Sequence, residues 1–274
     1  KLKSLGFRME NMTGSYRLTI QPEYTDPNTG YTKTSNIRTE ISGMSNIQEY
    51  CKKNTINLDE SNRATKNIAF VQKNRKIMED DVLDAIDFKD FGFRVNYKTE
   101  SKRDPRSKVI QNMVQEWNES KKIFRLIKRF TFIQDDHPFK IDCRVVKEPI
   151  VKKVGNRLIW VPYYHIKDSG IFENNSHYEI ELELNYNYIE NKIKELQQVN
   201  SGLMIVPETY GTPNWSDFDG TTSKSNKFLV DDIYKKMKGG IKIILFGMQD
   251  SNYPISYPEQ NEVTKKYIEL TFSD

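Results

Sequence analysis

The segment His177–Leu184, HYEIELEL, sets Glu179, Glu181 and Glu183 against Ile180, Leu182 and Leu184. A period of two fits a strand, where successive side chains point to opposite faces. Like charges two residues apart on one strand face sit only ~7 Å from each other. Two readings follow. The strand is half exposed and its glutamates lie in water, or the carboxylates converge on something positive, most simply a hard divalent cation.

The same alternation recurs elsewhere with mainly basic charge. In FRVNYKTE, Arg94, Asn96, Lys98 and Glu100 oppose Phe93, Val95, Tyr97 and Thr99. Arg38 and Glu40 oppose Ile37 and Ile41, and Lys73 shares a face with Arg75. Arg125 and Arg129 flank Ile127 on one face of FRLIKRFTF; Lys140, Asp142 and Arg144 oppose Ile141 and Cys143 in FKIDCRVVK. A solvated sheet face mixes signs within each strand. Here the basic strands read mainly Arg and Lys while one strand reads only Glu. A sheet curled with its apolar face outward under helices keeps its polar face as a lumen. Such a lumen suits a phosphate chain plus a divalent cation, which bridges carboxylates to phosphate oxygens while the basic residues neutralise the rest.

Other strand-like stretches are SYRLTIQPEY (15–24), expected to form a hairpin with SNIRTEIS (35–42), then 67–76, 91–100, 156–166 and GIKIILFGM (240–248). Helical spacing marks 45–54, 77–86, 107–117, 188–199, 225–238 and 259–270. Residues 201–224, rich in Pro, Gly, Ser and Thr, read as a surface insertion, and 225–274 as helix–strand–helix. The expectation is one α+β domain over 1–274 with a large, mostly antiparallel sheet. Trp117 and Trp160, among apolar neighbours, are expected in its core.

Bulk properties exclude several classes. Charged residues make up 29% of the chain and mean hydropathy is −0.73. No apolar run reaches the ~18 residues of a membrane span, and no signal pattern opens the chain. Cys51 and Cys143 have neither disulfide nor zinc spacing and suit a reducing compartment. His137, His165 and His177 are scattered and make no zinc or Ser-His-Asp arrangement. A net charge of +4 permits a polyanionic ligand without requiring one. The chain opens on KLKSLGF, which reads as a helix end without Met, so a piece of a longer protein is expected.

The series FRLIKRFTF, FKIDCRVVK and YEIELEL, in that order, resembles the RNA 5′-triphosphatase domain of giant-virus mRNA capping enzymes, within the triphosphate tunnel metalloenzyme family. VQKNR (71–75), Lys98 and the tail KIILFGMQDSNYPISYPEQNEVTKKYIEL match as well. The resemblance implies an eight-stranded antiparallel tunnel, with a polar lumen and helices over its apolar outer face. It implies a Mg or Mn ion on Glu181 and Glu183, and hydrolysis of the γ-phosphate of 5′-triphosphate RNA to a diphosphate end ready for capping. Glu179, Glu181, Arg125 and Arg129 would form the catalytic set, with Glu179 orienting water. Arg38, Lys73, Arg75, Lys98 and Lys140 would bind phosphates, and Asp142 would orient the basic residues around it. Catalysis would rest on positioning and charge stabilisation without a covalent intermediate.

The implied partners are 5′-triphosphate RNA, NTPs, and guanylyltransferase and methyltransferase domains in the same chain or complex, with no membrane. The implied location is a cytoplasmic viral factory or the virion. Three positions depart from the family. Its second metal strand, a Glu-x-Glu, is not found before residue 35, so it is expected either upstream of Lys1 or absent. Ile127 stands where Lys is usual, and Arg144 where Thr or Ser is common. No Lys-x-Asp-Gly motif occurs, so GMP transfer is not expected. Two alternatives stay open: a tunnel enzyme on thiamine triphosphate, tripolyphosphate or ATP, and a degenerate tunnel serving as scaffold or RNA-binding module in a capping or transcription complex.

Overall fold

Alternation in the sequence becomes register in a sheet. The computed structural model describes residues 2–26, 28–58, 67–75, 77–78, 81–82, 84–155, 157–199 and 224–272. Seven strands form one path: β1 (Ser15–Thr25), β2 (Ile37–Ser42), β3 (Ile68–Arg75), β4 (Lys98–Lys102), β5 (Lys122–Ile133), β6 (Phe139–Lys147) and β7 (His177–Leu184). Their order is β4-β3-β2-β1-β5-β6-β7, and every neighbouring pair is antiparallel. Two short strands, Arg8–Met9 and Thr32–Thr34, pair with β5 and β1.

Register fixes which face is apolar. Leu18 lies opposite Leu126 and Ile41, and Ile20 opposite Phe124 and Thr39, which in turn faces Phe70. Helices α1 (Met44–Lys53) and α2 (Lys108–Gln115) cover this face with Ile47, Tyr50 and Ile110. Trp117, Ile166 and Ile171 complete the core. Each fully buried side chain of this size stabilises the fold by about 1.5–3 kcal/mol. Helices α3 (Tyr186–Val199) and α4 (Lys224–Gln249) follow β7. Gly240 of α4 lies so close to β7 that a Cβ there would sit 3.2 Å from a Leu182 methyl. The last helix, α5 (Tyr257–Phe272), is exposed along its length and touches the body at Gly92, where the Tyr257 hydroxyl fills the space of a Cβ.

The opposite face is polar and concave. Lys73 on β3 lies within electrostatic reach of Glu181 on β7, although five interstrand steps would separate them by ~24 Å in a flat sheet. Tyr97, just before β4, is likewise near Tyr186, just after β7. Curling therefore brings the two sheet edges toward each other. The edges do not pair, and among the described residues no strand bridges β4 and β7. The expected closed eight-stranded tunnel is thus an open half-barrel.

Several expected elements differ. Residues 240–248 are not a strand but continue α4, where Ile241, Ile244, Leu245 and Met248 recur at helical spacing and Leu245 is buried. The 91–100 strand breaks after Val95. Phe93–Val95 pairs with Ile86–Phe88, with the Phe88 and Phe93 rings stacked at 4.5 Å, and only Lys98–Lys102 joins the main sheet. Within the expected 77–86 helix, Ile77–Met78 instead pairs with Asp81–Val82. Arg157–Trp160 forms a separate hairpin with Val151–Val154, which leaves Trp160 43% exposed, whereas Trp117 is buried as expected. The 201–224 insertion lies outside the described residues up to Lys224, where α4 begins.

One charge sits inside the core. Lys122, at the start of β5, is 0% exposed. Its Nζ donates to the carbonyl oxygens of Trp117 (2.5 Å) and Ser120 (2.7 Å) and lies 5.3 Å from the Trp117 ring centre. It ties the chain leaving α2 to β5. Burial pushes its pKa down to about 8. As pH rises from about 8 toward the ordinary lysine value of about 10.4, the unfolded chain keeps a proton that the folded chain has released, so this group adds stability. Lys122→Met removes that slope. Urea midpoints of both proteins at about pH 7.5 and about pH 9.5 should diverge in favour of Lys122 at the higher pH; parallel midpoints would refute it.

Candidate functional site

The concave face gathers residues from every strand of the path. Arg17 of β1 pairs with Ile127 of β5, and Thr19 of β1 pairs with both Glu40 and Arg125. Arg129 pairs with Arg144, which pairs with Glu179; Thr131 pairs with Asp142, which pairs with Glu181; Lys140 pairs with Glu183. Glu100 pairs with Lys73, and Lys98 with Arg75. Two-residue periodicity carries this face across the sheet, so all the candidate positions share it.

On the β1–β4 side, carboxylates hold the cations in place. Glu40, 7% exposed, accepts from Arg38 Nε at 2.7 Å and lies in an ion pair 2.9 Å from Arg17 Nη1. Glu100 accepts from Arg38 Nη2 at 3.0 Å and lies 3.4 Å from Lys73 Nζ. Burial alone would raise the Glu100 carboxyl, but Arg38 and Lys73 outweigh it and hold it below the usual range. Burial, together with the nearby guanidiniums of Arg129, Arg38 and Arg144, pushes Arg17 down against the pull of Glu40. Four guanidiniums converging on one concave surface form a ready anion site.

A second cluster lies on β5–β7. Asp142, 1% exposed, accepts from the Thr131 hydroxyl at 2.6 Å, Arg129 Nη1 at 3.2 Å and Arg144 Nη2 at 3.1 Å. Arg144 Nη2 also reaches Glu181 at 2.5 Å and Glu183 at 2.9 Å. Burial raises the Glu181 carboxyl, aided by Glu183 and opposed by Arg144 and Lys73. Carboxylate oxygens of Asp142, Glu181 and Glu183 lie within 4.8 Å of one another. Three hard oxygen donors this close fit a hard divalent cation.

A third cluster occupies the far end of β7. Arg125 Nε donates to Glu148 at 2.6 Å, and its Nη2 donates to Glu179. His177 Nε2 is 3.3 Å from Glu179, and Trp160 Nε1 donates to the other Glu148 oxygen at 3.3 Å. Burial would raise Glu179, yet Arg125 and His177 hold it low. Ile127, buried between Arg125 and Arg129 on β5, lies in one cross-strand row with buried Val146 and with His177. The apolar residue at position 127 is therefore a spacer between two arginines.

Of the expected site residues, Arg38, Lys73, Arg125, Arg129, Asp142, Glu179, Glu181 and Glu183 take part in these clusters. Register puts position 75 on the same face. Lys98 and Lys140 also lie on it, but no ion pair is found for either among the described residues. Arg17, Glu148 and His177 were not singled out from sequence. Arg17 alternates with Tyr16 and Leu18, and His177 begins the same alternation as Glu179, so both carried a signal. Glu148 lies one residue beyond β6, where the alternation had ended. Comparison with known proteins found no family model that matches the chain, no similar curated protein and no similar solved structure.

Asp142 anchors two guanidiniums at once. Asp142→Ala leaves both without that carboxylate in a largely buried setting and should cost about 3–5 kcal/mol in urea denaturation at neutral pH. Burial opposes ionisation of Asp142, but Thr131, Arg129 and Arg144 overcome it and hold the pKa low. The contribution is therefore present above the ordinary aspartate value and lost as pH falls through the folded one. A loss under about 1 kcal/mol would contradict this account.

Proposed function

We propose that this half-barrel is the catalytic face of a metal-dependent RNA 5′-triphosphatase, which hydrolyses the γ-phosphate of 5′-triphosphate RNA as the first step of mRNA capping. The reading rests on one observation: a strip of carboxylates on β6 and β7 faces a field of arginines and lysines on the same concave surface. A polyphosphate needs its negative charge neutralised along its length, and Arg17, Arg38, Lys73, Arg125 and Arg129 supply that. Glu181 and Glu183, with Asp142 beside them, hold the Mg or Mn ion. The bound ion supplies charge neutralisation at the phosphate oxygens. Glu179, ionised and held by Arg125, orients water for attack in line with the leaving diphosphate. The product of the reaction, a 5′-diphosphate RNA end, is the acceptor for guanylyl transfer, so guanylyltransferase and methyltransferase domains in the same chain or complex are the partners this reading calls for.

The test is phosphate release from 5′-triphosphate RNA by this chain and by Glu181→Gln, with Mg²⁺ and with Mn²⁺. The expected outcome is metal-dependent release, reduced at least ~100-fold by the substitution. Release from inorganic tripolyphosphate or ATP but not from RNA would move the protein to the small-substrate class. Absence of release from all three, by this chain and by one extended upstream of Lys1, would sink the enzymatic reading in favour of a scaffold or RNA-binding role.

A further inference from the structure

The cation among Asp142, Glu181 and Glu183 is a side chain of the protein itself. A single atom, Arg144 Nη2, lies 3.1, 2.5 and 2.9 Å from oxygens of the three carboxylates. That nitrogen carries two hydrogens, so three acceptors share two donors. Meanwhile Arg144 Nε is buried with no hydrogen-bond partner among the described residues, an unfavourable arrangement for a charged donor. The side chain is only 10% exposed. Charge holds it there, while its donor geometry fits poorly. A small divalent ion has no directional donors to misplace and carries twice the charge.

We propose that Arg144 is an exchangeable internal cation: a divalent metal displaces it from Glu181 and Glu183, and the freed guanidinium binds substrate phosphate. This rests on the triphosphatase reading and names how its site is regulated. Asp142 keeps Thr131 and Arg129 as partners when Arg144 leaves, so the metal pocket does not collapse. Arg144 is already within electrostatic reach of Arg17, which also senses Arg129 and Arg38. A guanidinium freed from its carboxylates among three others is stable only with an anion between them. Metal and phosphate therefore bind cooperatively, each making room for the other. In the absence of both, the arginine offsets part of the charge of the acidic strip.

Mn²⁺ binding by calorimetry, without and with inorganic phosphate, tests this on the whole chain and on Arg144→Gln. The wild type should bind Mn²⁺ about 10-fold more tightly when phosphate is present. Arg144→Gln should bind Mn²⁺ about 10-fold more tightly than wild type without phosphate, and phosphate should no longer change its affinity. Equal or weaker binding by a folded Arg144→Gln overturns the exchange while leaving the triphosphatase reading intact. No Mn²⁺ binding by either protein overturns both. The wild type gives a second readout that needs no stable glutamine variant. The Arg144 Nε–H resonance, assigned by its loss in Arg144→Lys, should move on adding Mg²⁺; an unmoved resonance at saturating Mg²⁺ overturns the exchange.

Discussion

A slip of one residue between any two of these strands would carry arginines and glutamates into the core and turn Phe124, Leu18 and Ile20 toward the channel. The apolar face forbids this. Leu18, Ile20, Ile41, Phe70 and Phe124 are all close to fully buried under α1 and α2, and burying an unpaired charge in their place would cost several kcal/mol. Hydrophobic packing on one face thus sets the register of charge on the other. Once the sheet curls, the polar face loses water, and each charge needs a partner. Glu40 between Arg17 and Arg38, Glu100 between Arg38 and Lys73, and Asp142 between Arg129 and Arg144 answer that need. Such pairs add little net stability over an apolar wall, but removing one member is costly. They are the form a charged concave face must take to persist without a ligand.

The face each residue occupies was legible because period-two alternation survives folding. Strands β5, β6 and β7 run nearly where their alternation begins and ends, and all the charges on them that drew attention share one surface. Three things were not legible. A short, mostly apolar run satisfies either period, so 240–248 read as a strand while its Ile and Leu spacing serves α4. The break after Val95 follows from a local hairpin with Ile86–Phe88, in which Phe88 stacks on Phe93, and no composition marks it. Curl and partner choice are long-range. Alternation places Arg144 on the polar face, but only the path β5-β6-β7 brings its Nη2 among three carboxylates. Trp160 misled for the same reason: its apolar neighbours belong to a hairpin outside the main sheet.

Ile127 links these levels. Read alone, it breaks a basic series. In the folded chain it stands between Arg125 and Arg129 in line with Val146 and His177, while the acidic residues gather in two groups, Asp142–Glu181–Glu183 and Glu148–His177–Glu179. The first group is held by Arg129 and Arg144, the second by Arg125. Guanidiniums beside each group offset part of the repulsion among Glu179, Glu181 and Glu183, which answers how one strand face tolerates three glutamates.

The open seam between β4 and β7 has a mechanical consequence. In a closed barrel, strand number and stagger fix the diameter. A C-shaped sheet is under no such constraint, and its width is free to follow its curvature. What then gauges the gap is the set of charges reaching across it, such as Lys73 toward Glu181. The separation of the two edges is therefore an electrostatic matter as well as one of packing: salt that screens those charges weakens one of the forces acting across the gap.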